Sequence, residues 1–169
     1  MFSPACIASD YFKETALDNN VICNHWITSV ADMPHISAQD RIMGLLNTGW
    51  YLFGDNTGGR KEIKAHDRIC FYAKRTGIVA EAVTASKAEY SVPGDLHEYS
   101  LGKYSWAFKV ESPRFFFEQP IIIDSNIRAR LEIFKDRDLS NPRSWVWLVQ
   151  GTHRLSQHDF RLLTTGIPR

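Results

Sequence analysis

The chain has 169 residues, about the length of one domain, and 44% of them are hydrophobic, which is enough for a substantial core. Its 20 basic residues nearly balance its 19 acidic ones, which argues against a histone-like nucleic-acid binder but allows a local basic patch. No apolar run is long enough to span a membrane and no signal-peptide pattern begins the sequence, so we expect a cytoplasmic protein.

The first third of the chain predicts an extension followed by a strand, a helix and a strand. Residues 1–22 form the expected N-terminal extension, and one domain is expected over residues 23–169. An apolar segment that ends at Val30 predicts the first strand. Ser37, with Asp40 three residues later, is typical of a helix start. The segment GWYLFG predicts a second short strand, which leads into the polar loop DNTGGR.

The centre of the chain predicts a β-hairpin. Residues 68–73 and 78–84 are rich in β-branched and aromatic side chains, and the polar segment KRTG separates them. Nearly every position in both strands is apolar, with Ile69 and Phe71 on one side and Cys70 and Tyr72 on the other. We therefore expect this hairpin to be covered on both faces.

The last third predicts further strands and two helices. After an irregular loop over 91–101, residues 104–111 alternate as in a strand, and the pattern resumes over 115–123 beyond Pro113. A helix is expected over 125–134, a strand over 145–150, and a final helix capped by Ser156. This order predicts an α+β fold, a small curled β-barrel of about five to six strands flanked by helices.

Residues able to perform catalysis are not grouped in any recognisable pattern. The DNTGGR loop lacks the Gly-Lys-Ser/Thr ending of a phosphate-binding loop. His153 and His158 have no third metal ligand nearby in the sequence. His66 and Cys70 would lie about 13 Å apart along an extended strand, too far for a base and a nucleophile. The three cysteines, of which Cys70 is one, have no paired spacing and are interpreted as reduced thiols. We therefore predict a non-enzymatic protein without a metal or cofactor.

Aromatic side chains beside flexible segments suggest binding instead. Trp50 and Tyr104 each adjoin a polar loop, where ligand sites are common, whereas Trp26, Trp145 and Trp147 are expected in the core. A well-stacked nucleobase contributes about 1–3 kcal/mol. Four basic residues near predicted turns could contact phosphates, although ordinary solvated turns explain them more simply. These four residues are Arg60, Lys61, Lys74 and Arg75.

Several motifs in order resemble the EVE domain, a member of the PUA-like superfamily related to YTH domains. They are HWITSV, GWYLFGDN with an arginine following, KAHDRICFYAKRTGIVAEAV, KYSWAFKV, and WVW followed by GTHRLSQHDFRLL. The resemblance covers residues 24–166. His66 stands where the family usually has glycine before the hairpin aspartate. Val30 and Ala31 precede Asp32 where the family commonly has Asn or Ser followed by Glu.

The resemblance implies a protein that reads a modified base in nucleic acid by flipping it into an aromatic pocket. Trp50 and Tyr104 match the aromatic walls of the family's pocket. Ser29 and Asp32 match its polar contacts to the base edge, and Asn56 is a further candidate. In prokaryotes such domains often accompany modification-dependent restriction systems, so a nuclease or ATPase is an expected partner.

Three hypotheses follow from the sequence. The first is a reader of a modified base such as methylated or hydroxymethylated cytosine or N6-methyladenine, with DNA slightly preferred over RNA. The second is a PUA-like domain that binds structured RNA without a modified-base pocket. The third is an accessory protein-interaction module.

Overall fold

The computed structural model describes residues 23–100, 102–141 and 143–166, so the predicted extension over 1–22 lies outside the described residues. The strands within these ranges are β1 (His25–Val30), β2 (Trp50–Phe53), β3 (Arg68–Ala73), β4 (Gly77–Thr84), β5 (Trp106–Phe115) and β6 (Thr152–Leu155). The α-helices are α1 (Ala38–Asn47), α2 (His97–Ser100), α3 (Ser125–Arg130) and α4 (Gln157–Thr165). Short 3₁₀ helices cover Gly94–Leu96, Glu132–Phe134 and Val146–Val149. None of the described helices is long and apolar enough to cross a membrane.

The six strands form one curled sheet in the order β2-β5-β4-β3-β1-β6. β1 pairs in parallel with β3, and all the other pairs between these strands are antiparallel. The sheet is a half-barrel with β2 and β6 as its two edges, and helices pack against it. The predicted α+β class and small curled barrel are therefore confirmed.

The central hairpin has the structure that its sequence predicts. β3 and β4 pair antiparallel, with Arg68 opposite Val83. Ile69 and Phe71 lie in a core cluster shared with α1, whereas Cys70 and Tyr72 lie in a second cluster shared with α3 and α4. Both faces are covered, which explains why neither strand shows an alternation of polar and apolar residues.

β5 continues through Pro113, where the sequence predicts an interruption. Its first part pairs with β2, and its second part, from Val110 to Phe115, pairs with β4. The register with β4 shifts between Glu81 and Val83, and Ser112 has a positive φ of 50°. A bulge of this kind accommodates proline and bends the strand.

The predicted strand over 145–150 is wrong, because this segment contains the 3₁₀ helix Val146–Val149. The edge strand β6 follows immediately and pairs with β1. A short apolar run such as WVWLV has no periodicity that distinguishes a strand from a helical turn. Of the predicted strand over 115–123, Phe115 is the last residue of β5, and the rest is reduced to one bridge between Ile121 and Ile78.

The predicted helix over 125–134 is divided at Leu131, whose ψ of 124° is extended. The 3₁₀ helix Glu132–Phe134 follows, and the Asp159 carboxylate accepts hydrogen bonds from the backbone N–H groups of Glu132 and Ile133 at 2.7 and 2.9 Å. The predicted helix starts are confirmed. Ser37 accepts from the Asp40 N–H at 3.0 Å, and Ser156 accepts from the Asp159 N–H at 3.1 Å.

Candidate functional site

A cavity of about 800 Å³ lies where the half-barrel does not close, between its edge strands. β1 and β2 supply much of its floor, and the turn before β6 supplies the opposite side. The loop after β2 forms part of its rim. Gly59, in that loop, has a φ of +73°, and an added Cβ would lie 3.4 Å from the Thr152 carbonyl oxygen in β6. The loop therefore spans the gap, and we call the enclosed space the seam cavity.

Buried polar groups form the floor of the seam cavity. Thr28 in β1 and Thr152 in β6 are buried, and their hydroxyl groups are hydrogen-bonded at 2.9 Å. Tyr51 in β2 is also buried, with its ring 4.7 Å from that of Phe71. Burial raises the pKa of Tyr51 to about 12, and the nearby Arg41 charge opposes that shift. The Tyr51 hydroxyl is therefore protonated at neutral pH and can donate a hydrogen bond.

Arg41 in α1 is only 5% exposed and lines the same floor. Its guanidinium carbon lies 3.9 Å from the centroid of the Tyr104 ring, within cation–π distance. One terminal nitrogen donates a hydrogen bond to the Tyr104 hydroxyl at 3.0 Å. Tyr104 is thereby fixed in the cavity wall by an arginine from a different element.

Trp147 forms an aromatic wall on the side of the seam cavity next to β6. Its ring meets the His153 imidazole edge to face at a centroid distance of 4.8 Å. Nε2 of His153 donates to the Trp147 carbonyl oxygen at 2.9 Å. Burial is the main cause that lowers the pKa of His153, so this imidazole is neutral at pH 7. The guanidinium carbon of Arg137 lies 4.2 Å from the centroid of the Trp147 ring, so it covers one face of the indole.

The structure brings together three of the five predicted base-contacting residues. Tyr104, Ser29 and Asn56 all line the seam cavity. Asp32 does not line it, because its carboxylate accepts a hydrogen bond from the Ala38 N–H at 2.9 Å, at the start of α1.

Trp50 lies at a different site, so the prediction that Trp50 and Tyr104 enclose one slot is wrong. Trp50 borders a separate cavity of about 370 Å³, and the Lys109 ammonium lies 5.4 Å from its ring centroid. Trp50 begins β2, whereas the polar loop that borders the seam cavity follows the other end of that strand. Sequence position places Trp50 before this loop, but it does not show that the length of β2 separates the two.

The four predicted phosphate-contacting residues divide into two pairs. Lys74 and Arg75 border a cavity of about 450 Å³ that shares Ser29 and Gln150 with the seam cavity. We call this second space the basic cavity. Arg60 and Lys61 instead lie over the Trp106 ring, at 4.9 and 5.4 Å from its centroid. They do not line the seam cavity.

Arg41, Tyr51 and Trp147 line the seam cavity but are not among the predicted site residues. A signal for Arg41 was present, since it falls in the apolar stripe that Ala38, Ile42 and Leu45 form on α1. A charged residue within an apolar helix stripe indicates that its charge is buried. No comparable signal separates Trp147 from a core tryptophan.

The described residues contain no group of three His, Cys, Asp or Glu side chains placed to hold a metal ion. Burial raises the pKa of the Cys70 thiol far above its ordinary value, so this cysteine is an inert core residue. Cys23 donates a hydrogen bond to the His66 carbonyl oxygen at 3.2 Å. Both thiols therefore have structural surroundings.

No protein-family model matches the chain, and no curated protein is significantly similar to it. The solved structures that are similar over most of its length include the following two. A hypothetical protein from Leishmania major has a TM-score of 0.48 at 13% identity, covering 85% of this chain and 93% of its own. A protein from Agrobacterium tumefaciens has a TM-score of 0.45 at 11% identity, covering 85% of this chain and 92% of its own.

Proposed function

We propose that this protein is a non-enzymatic reader of a modified base in nucleic acid, with DNA slightly preferred over RNA. One observation carries the proposal. Two aromatic walls, Tyr104 and Trp147, and the polar side chains of Ser29 and Asn56 all line the seam cavity, which opens at the gap of the half-barrel. The proposal also agrees with the resemblance of the sequence to EVE domains.

The size and lining of the seam cavity suit a single unstacked base. Its volume of about 800 Å³ is within the usual range for small-ligand sites, which is about 300–1,000 Å³. Aromatic faces stack on any base, and the hydroxyl and amide groups can bond its edge. Burial of an added methyl group against the cavity wall would contribute about 0.8 kcal/mol and so would favour a methylated base over an unmodified one.

The basic cavity would hold the backbone beside that base. Lys74 and Arg75 lie in the turn between β3 and β4, and Ser29 belongs to the walls of both cavities. A base in the seam cavity therefore has two cations close to its flanking phosphates. Contacts of this kind fix the register of the strand and are weakened by salt.

The proposal is tested by fluorescence anisotropy with short duplexes that contain 5-methylcytosine, 5-hydroxymethylcytosine, N6-methyladenine or unmodified bases. We expect one modified duplex to bind more tightly than its unmodified counterpart. Tyr104→Ala and Trp147→Ala should each weaken that binding by about 5- to 150-fold, the loss of one stacking contact of about 1–3 kcal/mol.

Trp50→Ala is the matched control, because it removes an aromatic ring from a different cavity. It should retain the preference for the modified duplex. Lys74→Ala with Arg75→Ala should weaken binding to all duplexes alike and reduce the salt dependence. Equal binding of every modified and unmodified duplex would contradict the proposal, and tighter binding to hairpin RNA would favour the PUA-like alternative.

The resemblance also suggests a partner, a nuclease or ATPase that acts once the modified base is bound. In that arrangement this chain would supply recognition and the partner would supply cleavage. Pull-down with the modified duplex present and absent would test for such a partner.

A further inference from the structure

Arg41 is a buried charge without an acidic partner in the described part of the chain. Its side chain is 95% buried, and no Asp or Glu of the described residues lies within ion-pairing distance of it. The three ion pairs in those ranges involve other groups. Glu98 borders a smaller cavity that Arg41 also lines, yet the two do not pair.

A buried, unpaired guanidinium destabilises a fold unless other groups compensate for the lost hydration. The Tyr104 ring and hydroxyl supply part of that compensation. The Nε–H group of Arg41 remains buried without any hydrogen-bond acceptor. Trp147, on another side of the seam cavity, likewise has an indole N–H without an acceptor.

The charges around the seam cavity also favour an anion. Arg41 contributes a positive charge to the floor, and Lys103 contributes one to the rim. Asp55 is the single acidic residue among the described side chains that line the cavity, and it is exposed at the rim. A negatively charged group in the cavity would neutralise Arg41.

We propose that Arg41 is the oxyanion-binding residue of the seam cavity, so that the ligand enters with a phosphate or carboxylate group directed at the guanidinium. This inference deepens the proposed function and names the chemistry of its ligand. The oxyanion has two sources in a nucleic acid. It is either the phosphate of the unstacked nucleotide or an acidic substituent on the modified base, as in 5-carboxycytosine.

The test compares ligands that differ only in the oxyanion. Isothermal titration of the full chain would use deoxycytidine, deoxycytidine 5′-monophosphate and 5-carboxydeoxycytidine. At least one anionic ligand should bind about tenfold or more tightly than deoxycytidine, as expected for a charge-assisted hydrogen bond. The ligand that shows the preference identifies the source of the oxyanion.

Arg41→Met should abolish that preference while retaining the length and much of the volume of the side chain. Arg41→Lys keeps the charge but loses the planar fork, and it should retain part of the preference. If Arg41→Met does not fold, Arg41→Lys provides the comparison with wild type. Arg130→Met is the matched control, because Arg130 is exposed and distant from the cavity lining, and it should behave as wild type.

Inorganic phosphate provides a second readout that needs no nucleotide. Replacing chloride by phosphate at constant ionic strength should raise the melting temperature of wild type, and of Arg130→Met, more than that of Arg41→Met. Equal responses of wild type and Arg41→Met to phosphate, or equal binding of the three nucleosides and nucleotides, would overturn the inference. Binding of the anions without any binding of modified duplexes would leave the oxyanion site standing and refute the proposed function.

Discussion

Asp67 is the buried residue that joins three segments at the start of the central hairpin. Its carboxylate accepts four hydrogen bonds, from the backbone and side-chain N–H groups of Asn24, the indole of Trp26 and the backbone N–H of Lys64, at 2.9–3.1 Å. The preceding residue, His66, has a φ of +70°, the left-handed conformation that usually favours glycine. A histidine therefore occupies a turn position that usually favours glycine.

Asp67→Asn tests how much the hydrogen bonds to this carboxylate stabilise the fold. The amide would place an NH₂ group against two of the donors, so we expect a loss of about 3 kcal/mol in the free energy of unfolding. Chemical denaturation measures that change. Asp136→Asn, at an exposed position, should change the stability little, and a similar loss in both variants would contradict the role given to Asp67.

At the scale of elements, residues at the start of the C-terminal helix α4 stabilise both its first turn and the neighbouring 3₁₀ helix Glu132–Phe134. Ser156 caps its first turn, and Asp159 turns its carboxylate away to bind the start of the 3₁₀ helix Glu132–Phe134. Burial raises the pKa of Asp159, and the two hydrogen bonds from backbone N–H groups oppose that shift. The start of α4 thus fixes the position of the end of β6, which forms one side of the seam cavity.

Ser156→Ala should lower the free energy of unfolding by about 1 kcal/mol, the usual effect of losing an N-cap hydroxyl. Thermal denaturation followed by circular dichroism would measure the loss. Ser125→Ala is the comparison, because Ser125 begins α3 without capping it and Asp124 provides the cap. The cap assignment would be refuted by an unchanged melting temperature in Ser156→Ala.

The parts of the fold that the sequence predicts are those with strong local signals. The β3–β4 hairpin has two apolar strands and a glycine-containing turn, and Ser37 and Ser156 have capping side chains. The 3₁₀ helix at Val146 and the short strand β6 lack such signals. Their conformations are decided by pairing with β1 and by core packing, which act between distant parts of the chain.

The candidate site was predicted only in part for the same reason. Tyr104, Ser29 and Asn56 lie at positions that meet at the seam cavity, whereas Trp50 begins β2 at the end opposite the loop that contains Asn56. Trp147 lies within the apolar run WVWLV, which is equally suited to the core. The curvature of the sheet determines which loops meet, and no residue pattern along the chain records that curvature.

At the scale of the whole molecule, burial of histidines makes the stability depend on pH. Burial is the main cause that lowers the pKa values of His25 and His153 below their ordinary value of 6.5. The unfolded chain therefore binds more protons than the folded one just below pH 6.5. The free energy of unfolding should fall as the pH decreases through that region.

Replacing both residues, as in His25→Gln with His153→Gln, should reduce the fall in melting temperature between pH 7 and pH 5.5. His97→Gln, at an exposed position, is the control and should keep the wild-type profile. The raised pKa of Asp159 acts in the opposite direction at lower pH, so the measurement stops at pH 5.5. Identical profiles in wild type and the double variant would show that these two histidines do not cause the loss of stability below pH 7.

The bend at Ser112 in β5 has a consequence far from where it occurs. β5 pairs with β2 up to Lys109 and with β4 on both sides of Ser112, so the bend affects how far β2 stands from β6 across the open side of the sheet. The width of that opening limits the size of any substituent that can enter between β2 and β6. If the protein reads a modified base as we propose, its selectivity would depend on the shape of the sheet. A different bend at Ser112 would then change the preferred substituent while every residue that contacts the ligand stayed the same.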